Sequence, residues 1–600
     1  MKKPLLLSLV VSTIFLIGIF FFARTGQAQN PDVGWQTVAP GIEYQQFYFP
    51  ASDDLGANDV YVARMARGNP DVTIDSMIAQ GRLSGGTEPT SAMATRYEDT
   101  LNYWGQSWGK RNNVVVAING YYFGAPIEPS GVPWRGQIHS GWYAKRHDDN
   151  ENGSGFVWQL DGDAFIGECV YHQPSEQIVA FSGTTTSTVK IDDINTPRGE
   201  DELILYTPQY DLRTPTDDEG VEILVEMTRP TLILPPSFSL LADLPLPFED
   251  WLTLAPQDRD PSAEAVGYVR EIRDGAGTTI IPFDHVVLSA TGVKRTKLLE
   301  NLELGEQIGI SQAINHLSNE DCETPIIGKD WTKTYASIGG AFYFLEDGLI
   351  NDYAGEPQAV VRDSRTAIAY NEDYIFFIVV DRIVFGDDPG DPAPDVIVRG
   401  GMNMAELGYF AREYVGADFG IAQDGGGSTT MVINGEVVNV PNDWDSDITI
   451  VPCPPPPPVD LPENVFLPVI VGAVGSPAPP LLRLTPTPAS ENPAGGTCYQ
   501  GTERYVANGM MMVVVEPMTT STVFTPTQSV VTTQDANLRT GPGTNYPVIN
   551  TIATGDNGTV LPHLNNLNGV YATGFHWWYV DFGGGNVGWM SETMLAAGGG

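Results

Sequence analysis

Apolar residues in this chain come in short runs cut by polar turns, and the 3.6-residue spacing of an amphipathic helix is rare. Residues 60–63, 72–74, 114–118, 156–160, 203–206, 221–226, 286–289, 342–345 and 375–380 each read as a strand, rich in β-branched and aromatic residues. The run 114–118 is apolar throughout, which suits burial on both faces, and it stops at Asn119-Gly120. Residues 92–104 have helical spacing. One helix is better signalled: Asn403 can cap it, Glu406 stands at the capping-box position, and Leu407, Phe410, Ala411 and Tyr414 form its apolar stripe before Gly416 stops it. Beyond it, 419–423 reads as a strand, and 429–433 with 436–440 as a hairpin across Asn434-Gly435, a pair suited to a type I′ turn. The expected fold class is α+β: a large sheet-rich domain with few helices, followed by a small all-β unit.

Two stretches break the strand pattern. Residues 454–497 are rich in proline, which favours extended polyproline structure over a packed core. Residues 517–529 are rich in threonine and read as a linker to a compact terminal block.

The first residues follow a different logic. Lys2 and Lys3 precede the apolar run 5–22, and Gly26-Gln27-Ala28 offers small residues for cleavage after Ala28. This is a secretory signal pattern, and the run is also long enough for an uncleaved anchor. The expected location is therefore secreted, periplasmic or cell-surface. With 32 basic and 74 acidic residues the formal charge is −42, so phosphate polymers are repelled on average and nucleic acid is not expected as a partner. In an exported chain four cysteines, without a Cys-x-x-Cys pair, suggest disulfides rather than metal ligation. Of three pairings, Cys453 with Cys498 would pinch the base of the proline-rich excursion and leave Cys169 with Cys322.

Chemistry concentrates at Gln423-Asp424-Gly425-Gly426-Gly427-Ser428-Thr429. Glycines permit positive φ and close approach of a ligand to backbone N–H groups, with Asp424 and Ser428 at the rim. A glycine-rich hairpin loop with an exposed aspartate fits the same residues. The seven histidines show no paired spacing and the aspartates no EF-hand ladder, so no metal or other cofactor is assigned; Ca²⁺ has no motif behind it.

Larger resemblances emerge from ordered motifs. The block opening with Ala536-Asn537-Leu538-Arg539-Thr540-Gly541-Pro542-Gly543 and closing through Trp577, Tyr579, Val580 and Gly588-Trp589-Met590 resembles a bacterial SH3-type domain. That resemblance implies a small β-barrel that binds a cell-wall or surface polymer. The main body resembles the phosphodiester glycosidase family. The matching elements are Asn119-Gly120-Tyr121-Tyr122-Phe123, Ser337-Ile338-Gly339-Gly340, Arg365-Thr366-Ala367-Ile368, Val380-Asp381-Arg382, the run from Gly401 to Leu407, Asp424 to Met431, Asn439-Val440-Pro441 and Glu503-Arg504. Domain limits follow: a signal at 1–28, a glycosidase-like domain at 29–516 with an insertion at about 453–498, a linker at 517–529 and an SH3-like domain at 530–597. Gln423, where many relatives carry leucine, Thr429 in place of a common second serine, and the missing glycine between Asp381 and Arg382 depart from the family pattern.

The resemblance implies an exported hydrolase that cleaves a sugar-1-phosphodiester, such as an N-acetylglucosamine-1-phosphodiester, at the anomeric bond. Such chemistry needs a carboxylate at an oxocarbenium-like centre, donors on the phosphate and polar groups on the sugar. Asp424 and then Asp381 are the candidate catalytic carboxylates, and Arg365 the candidate phosphate fork. Asn119, Gly120, Thr366, Gly425, Gly426, Ser428, Thr429 and Arg504 are the candidate substrate contacts. Arg365 could instead pair structurally with Asp363 or Glu346, Asp381 could cap a turn, and Asn119 could be only a turn residue. A non-catalytic envelope glycan-binding protein or adhesin is the competing reading. The sequence does not set the oligomeric state.

Overall fold

The computed structural model describes residues 34–598 apart from 52–56, 106, 125–130, 148–154, 168, 173–177, 182–187, 231–265, 312–313, 318–333, 352, 386–395, 442–448, 453–486 and 489–496. The signal segment, Cys322, Cys453 and most of the proline-rich stretch lie outside the described residues, as do both expected disulfide pairings. The elements below belong to the unit Thr37–Gly600.

Two sheets face each other across the main core. One is ordered through Ile42–Phe49, Asn58–Ala66, Tyr374–Val380, Arg365–Tyr370, Phe419–Ala422 and Ala341–Glu346. The other runs through Met431–Ile433, Ser107–Asn119, Asn508–Glu516 and Val72–Ile78. Alternate residues of each strand reach inward: Tyr61, Ala63, Ile368, Phe377, Val379 and Ile421 from the first, and Ile74, Val116, Ile118, Met510 and Met512 from the second. This is the period-two burial of a sandwich. A five-stranded sheet containing Gly155–Gln159 and Thr334–Ile338 adds Phe156, Trp158, Ala336 and Ile338 to the same core. The sheet-rich α+β expectation holds, with four α-helices among the described residues.

An eight-stranded sheet drawn from residues 178–311 has its own core, in which Val225, Leu288 and Ile310 pack with Leu298 of the helix Gly292–Asn301. The sequence reading did not separate this layer. The threonine-rich stretch 517–529, expected as a linker, packs onto a barrel: Ser521 N–H bonds to Gly569 O, and Phe524 joins Val530, Leu538, Val560, Trp578, Val580 and Met590 in its core. Trp577 and Trp589 instead pack with Leu101 and Phe283 of the main body.

Local signals translate into structure with one correction. The expected helix at 92–104 is the helix Thr90–Tyr97, and Leu101–Trp104 is a strand paired with Ser107–Asn119. Leu101, Tyr103 and Trp104 satisfy both periods, and the sheet neighbour decides. Helix Met404–Glu413 carries the full capping box: Glu406 N–H donates to the Asn403 side chain, and Asn403 N–H to the Glu406 carboxylate. Asn434 and Gly435 adopt φ of +49° and +83° in the hairpin turn. Strands Thr449–Pro452 and Thr497–Gln500 pair antiparallel on either side of the proline-rich stretch.

Candidate active site

The site is built where strand ends of both facing sheets meet. Phe419–Ala422 ends at Gln423, whose N–H donates to Thr366 O at 2.8 Å, and Asp424 N–H donates to Gly120 O at 3.0 Å. Each sheet thus holds one side of the loop. Asn119, fully buried at the end of its strand, donates from Nδ2 to Asp424 O at 2.7 Å. Its Oδ1 accepts from Thr366 Oγ1 at 2.7 Å and from Thr430 N–H at 3.0 Å.

The glycines are required by contact. A Cβ on Gly425 would come within 2.6 Å of Ser364 O, and Gly426 sits at φ +58°. Gly426 to Ser428 form a single 3₁₀ turn, with Gly426 N–H bonded to Ser364 O. Ser428 Oγ donates to Asp424 Oδ2 at 2.6 Å, and Arg504 Nη1 lies 3.5 Å from that hydroxyl. Thr429 is buried, with its Oγ1 unpartnered among the described residues. Burial raises the Asp424 carboxyl to about 6, against the opposing pull of the Ser428 hydrogen bond and the Arg504 charge.

Arg365 is buried at the start of its strand, and its Nε and Nη2 donate to the carbonyls of Met402, Gln358 and Val361. Nη1 makes no hydrogen bond among the described residues and lies 3.7 Å from the position a Gly425 Cβ would take. The arginine is therefore held rigidly by backbone, with one amino group left beside the glycine loop. Burial lowers its pKa, while the charges of Asp363 and Tyr122 raise it.

Asp363 is the residue sequence reasoning undervalued. Its Oδ2 lies 3.7 Å from the position of a Gly426 Cβ, and its charge acts on both Asp424 and Arg365. The sequence suggested only a salt bridge to Arg365, and no such bridge occurs among the described ion pairs, which leaves Asp363 as a second carboxylate at the loop. Tyr122, pushed up to about 12 by burial and by Asp424, flanks the same group. Its ring meets that of Trp134, which is 56 % exposed, at 5.9 Å. An aromatic run after Asn-Gly was the available signal for Tyr122.

Asp381 stands apart. It is fully buried, and its oxygens accept from Asn439 Nδ2 at 2.9 Å and Val440 N–H at 3.0 Å. Burial raises it to about 7, with Asp59 adding to that rise. Asn439 in turn donates to Thr429 O and accepts from Met431 N–H. The geometry gives Asp381 a positioning place behind the loop, not one on its accessible side. Glu503 accepts from Ser91 N–H at 3.0 Å at the start of the helix Thr90–Tyr97, which anchors the segment carrying Arg504.

Residues 268–451 match the phosphodiester glycosidase family model, and residues 534–596 match that of the bacterial SH3 domain. The chain resembles the phosphodiester glycosidases. The matched segment contains Asp363, Arg365, Asp381 and the Asp424 loop, whereas Asn119 and Arg504 lie outside it. Among solved structures, similarity is found to a protein from Synechocystis at 13 % identity and TM-score 0.40, covering 81 % of this chain and 64 % of that one. The chain thus spans less than two thirds of that relative's length. A Burkholderia pseudomallei protein aligns at 14 % identity and TM-score 0.37, covering 65 % of this chain and 72 % of its own. The catalytic domain of zebrafish N-acetylglucosamine-1-phosphodiester α-N-acetylglucosaminidase, auto-inhibited by its pro-peptide, aligns at 13 % identity and TM-score 0.31, covering 68 % and 79 % respectively. No curated protein sequence matches the chain.

Proposed function

We propose that this chain is an exported hydrolase that cleaves a sugar-1-phosphodiester at its anomeric bond, releasing free sugar and a phosphomonoester. The observation that carries the reading is the meeting of Asp424, Asp363 and the Nη1 of Arg365 around one glycine loop. Asp424, with a carboxyl near 6, is matched to the work of a base close to neutral pH. It takes a proton from water as the water oxygen bonds to the anomeric carbon and the bond from that carbon to the phosphate oxygen breaks. Asp363 offsets the positive charge that develops on the sugar ring. Arg365, through its Nη1, holds the departing phosphate, whose low basicity reduces the need for a strong acid.

Asn119 and Thr366 shape the loop, the buried Ser428 orients the Asp424 carboxylate, and Arg504 stands beside that hydroxyl. The terminal barrel, matched to the bacterial SH3 family, would hold the enzyme to a cell-wall or surface glycan that carries such phosphodiesters. The sugar and its aglycone are left open by these residues.

The test is incubation of residues 29–600 with an N-acetylglucosamine-1-phosphodiester, following free sugar and phosphomonoester, beside an Asp424→Asn variant. Release by the parent and loss in the variant support the reaction and the carboxylate. A folded parent inert on several sugar-1-phosphodiesters would turn the assignment toward a glycan-binding protein.

A further inference from the structure

A second recess lies between the barrel and the main body, and none of the Asp424-loop residues line it. It measures about 750 Å³ with its open mouth included. One wall carries Arg82, Arg96, His139 and Asn102, and the other is made by barrel residues including Asn545 and Tyr546.

Two guanidinium side chains on this lining keep N–H groups without a partner among the described residues, and the imidazole of His139 stands beside them. Arg82 uses Nη1 on Asp211, and its Nε and Nη2 have no partner among the described residues. Arg96 spends Nε and Nη2 on Glu88 and Gln80, leaving Nη1. His139 is 8 % exposed, and its Nδ1 is taken by Ser76 O at 2.6 Å and faces Asp75 at 3.4 Å. Its Nε2 has no partner among the described residues. Glu88 and Asp75 are not among the lining residues, but Asp211, the partner of Arg82, is, so the recess presents two guanidinium groups against one carboxylate. In a chain with a formal charge of −42 this concentration runs against the surrounding surface.

The remaining lining favours a sugar over a bare ion. Trp108 and Tyr546 are half-buried and offer aromatic faces, with Phe283 packed against both at 5.5 Å. Asn102 is 1 % exposed, and its Oδ1 is buried without a partner among the described residues, an acceptor whose desolvation is not balanced by a hydrogen bond there.

We infer that this recess is a second ligand site that binds an anionic saccharide, the cationic N–H groups taking the carboxylate or phosphate and the aromatic faces and Asn102 taking the sugar ring and a hydroxyl. The barrel then does more than bind on its own account: it closes one wall of a site that the main body alone leaves open. This inference does not depend on hydrolysis at Asp424.

Isothermal titration of the full chain with trigalacturonate, glucose-6-phosphate and neutral chitotriose tests it. At least one anionic probe is expected to bind, and to weaken about tenfold or more in Arg82→Ala, whose side chain is 41 % exposed and whose circular dichroism is expected to match the parent's. Asn545→Asp, which brings negative charge to the barrel wall, is expected to weaken the same probe. Comparing the two anionic probes shows whether carboxylate or phosphate is preferred. The proposal is overturned if neither anionic probe binds the folded parent, if chitotriose binds as well as they do, or if both variants bind like the parent. Preferential binding of an acidic peptide over both anionic sugars would also overturn it.

Discussion

Asn119 Nδ2 donates to the backbone carbonyl of Asp424 at 2.7 Å, although the two residues stand 305 positions apart. The bond crosses from one sheet to the other and fixes the loop on which the candidate carboxylate sits. Replacing Asn119 with Ala strands Asp424 O and Thr430 N–H in the interior and removes the acceptor of Thr366. Each stranded group costs about 1–3 kcal/mol, so Asn119→Ala is expected to lose roughly 2–5 kcal/mol in urea unfolding. The same variant should lose hydrolytic kcat at least about tenfold, because the loop is no longer fixed. A variant with full stability and full kcat would remove the clamp from the argument.

The raised carboxyl of Asp424 sets a pH signature. As a base it works when ionised, so kcat/KM should rise with pH through about 6 and then level. Folding responds in the opposite sense. Because the folded-state value lies above the ordinary aspartate value of 3.8, the folded form holds its proton more tightly, and stability is lost as pH rises from about 4 through 6. Asp424→Asn cannot ionise, yet it keeps an acceptor for Ser428. Its stability relative to the parent should therefore improve by about 1–3 kcal/mol between pH 4 and 7 while activity disappears. Urea midpoints for both proteins across that range check the sign.

Gly425 is a steric requirement. Gly425→Ala forces its new Cβ and Ser364 O, 2.6 Å apart in the present geometry, to separate by moving the loop. The expected cost is about 1–3 kcal/mol of stability. A loss of kcat of about 100-fold should accompany it, since a shift near 1 Å at the reacting groups has that scale. A crystal structure of the variant with an unmoved loop would contradict the account.

Much of this arrangement was legible because local and global signals agree. Asn403 and Glu406 announced their capping box, Asn434-Gly435 announced its turn, and the doubly buried run before Asn119 announced a central strand. The glycine loop after Gln423 drew attention to Asp424 for a steric reason that Ser364 now supplies. What stayed hidden depends on contacts between distant segments. Leu101–Trp104 satisfies helix and strand periods equally, and only its pairing with Ser107–Asn119 decides. Asp363 looked like a partner for Arg365, because nothing local shows that three backbone carbonyls occupy that guanidinium instead. Asp381 had the look of an accessible strand-end carboxylate until Asn439 and Val440, almost sixty positions away, closed over it.

Arg365 tests the distinction between charge and shape. Lys keeps the charge but has no planar fork to satisfy Met402, Gln358 and Val361 together. Arg365→Lys should lower stability by about 2–4 kcal/mol through unmet carbonyls. It should also raise KM for the phosphodiester and lower kcat, because the amino group beside Gly425 is no longer held in place. Retention of parental KM and kcat would place phosphate binding elsewhere.

The barrel is joined to the body by a buried charge network that the composition of neither part reveals. His563 Nε2 donates to Asp284 Oδ2 at 3.0 Å, His285 Nδ1 lies 2.8 Å from the other oxygen, and Asn565 Nδ2 reaches the same carboxylate at 3.4 Å. Burial would raise the Asp284 carboxyl, but the two histidines outweigh it and hold the group well below the usual range. The sign follows directly: a depressed carboxyl contributes stability above its unfolded value, which disappears as pH falls through the folded one. His563→Leu removes one partner of a fully buried carboxylate, which typically costs about 3–5 kcal/mol. Since His563 belongs to the barrel and Asp284 to the body, that loss should appear as undocking before global unfolding. Limited proteolysis of His563→Leu at neutral pH is expected to cut near the exposed Met518, ahead of the core residue Phe524, at least about tenfold faster than in the parent, releasing an intact barrel. Equal cleavage rates in the two proteins would show that the aromatic contacts of Trp577 and Trp589 with Phe283 hold the barrel without the network.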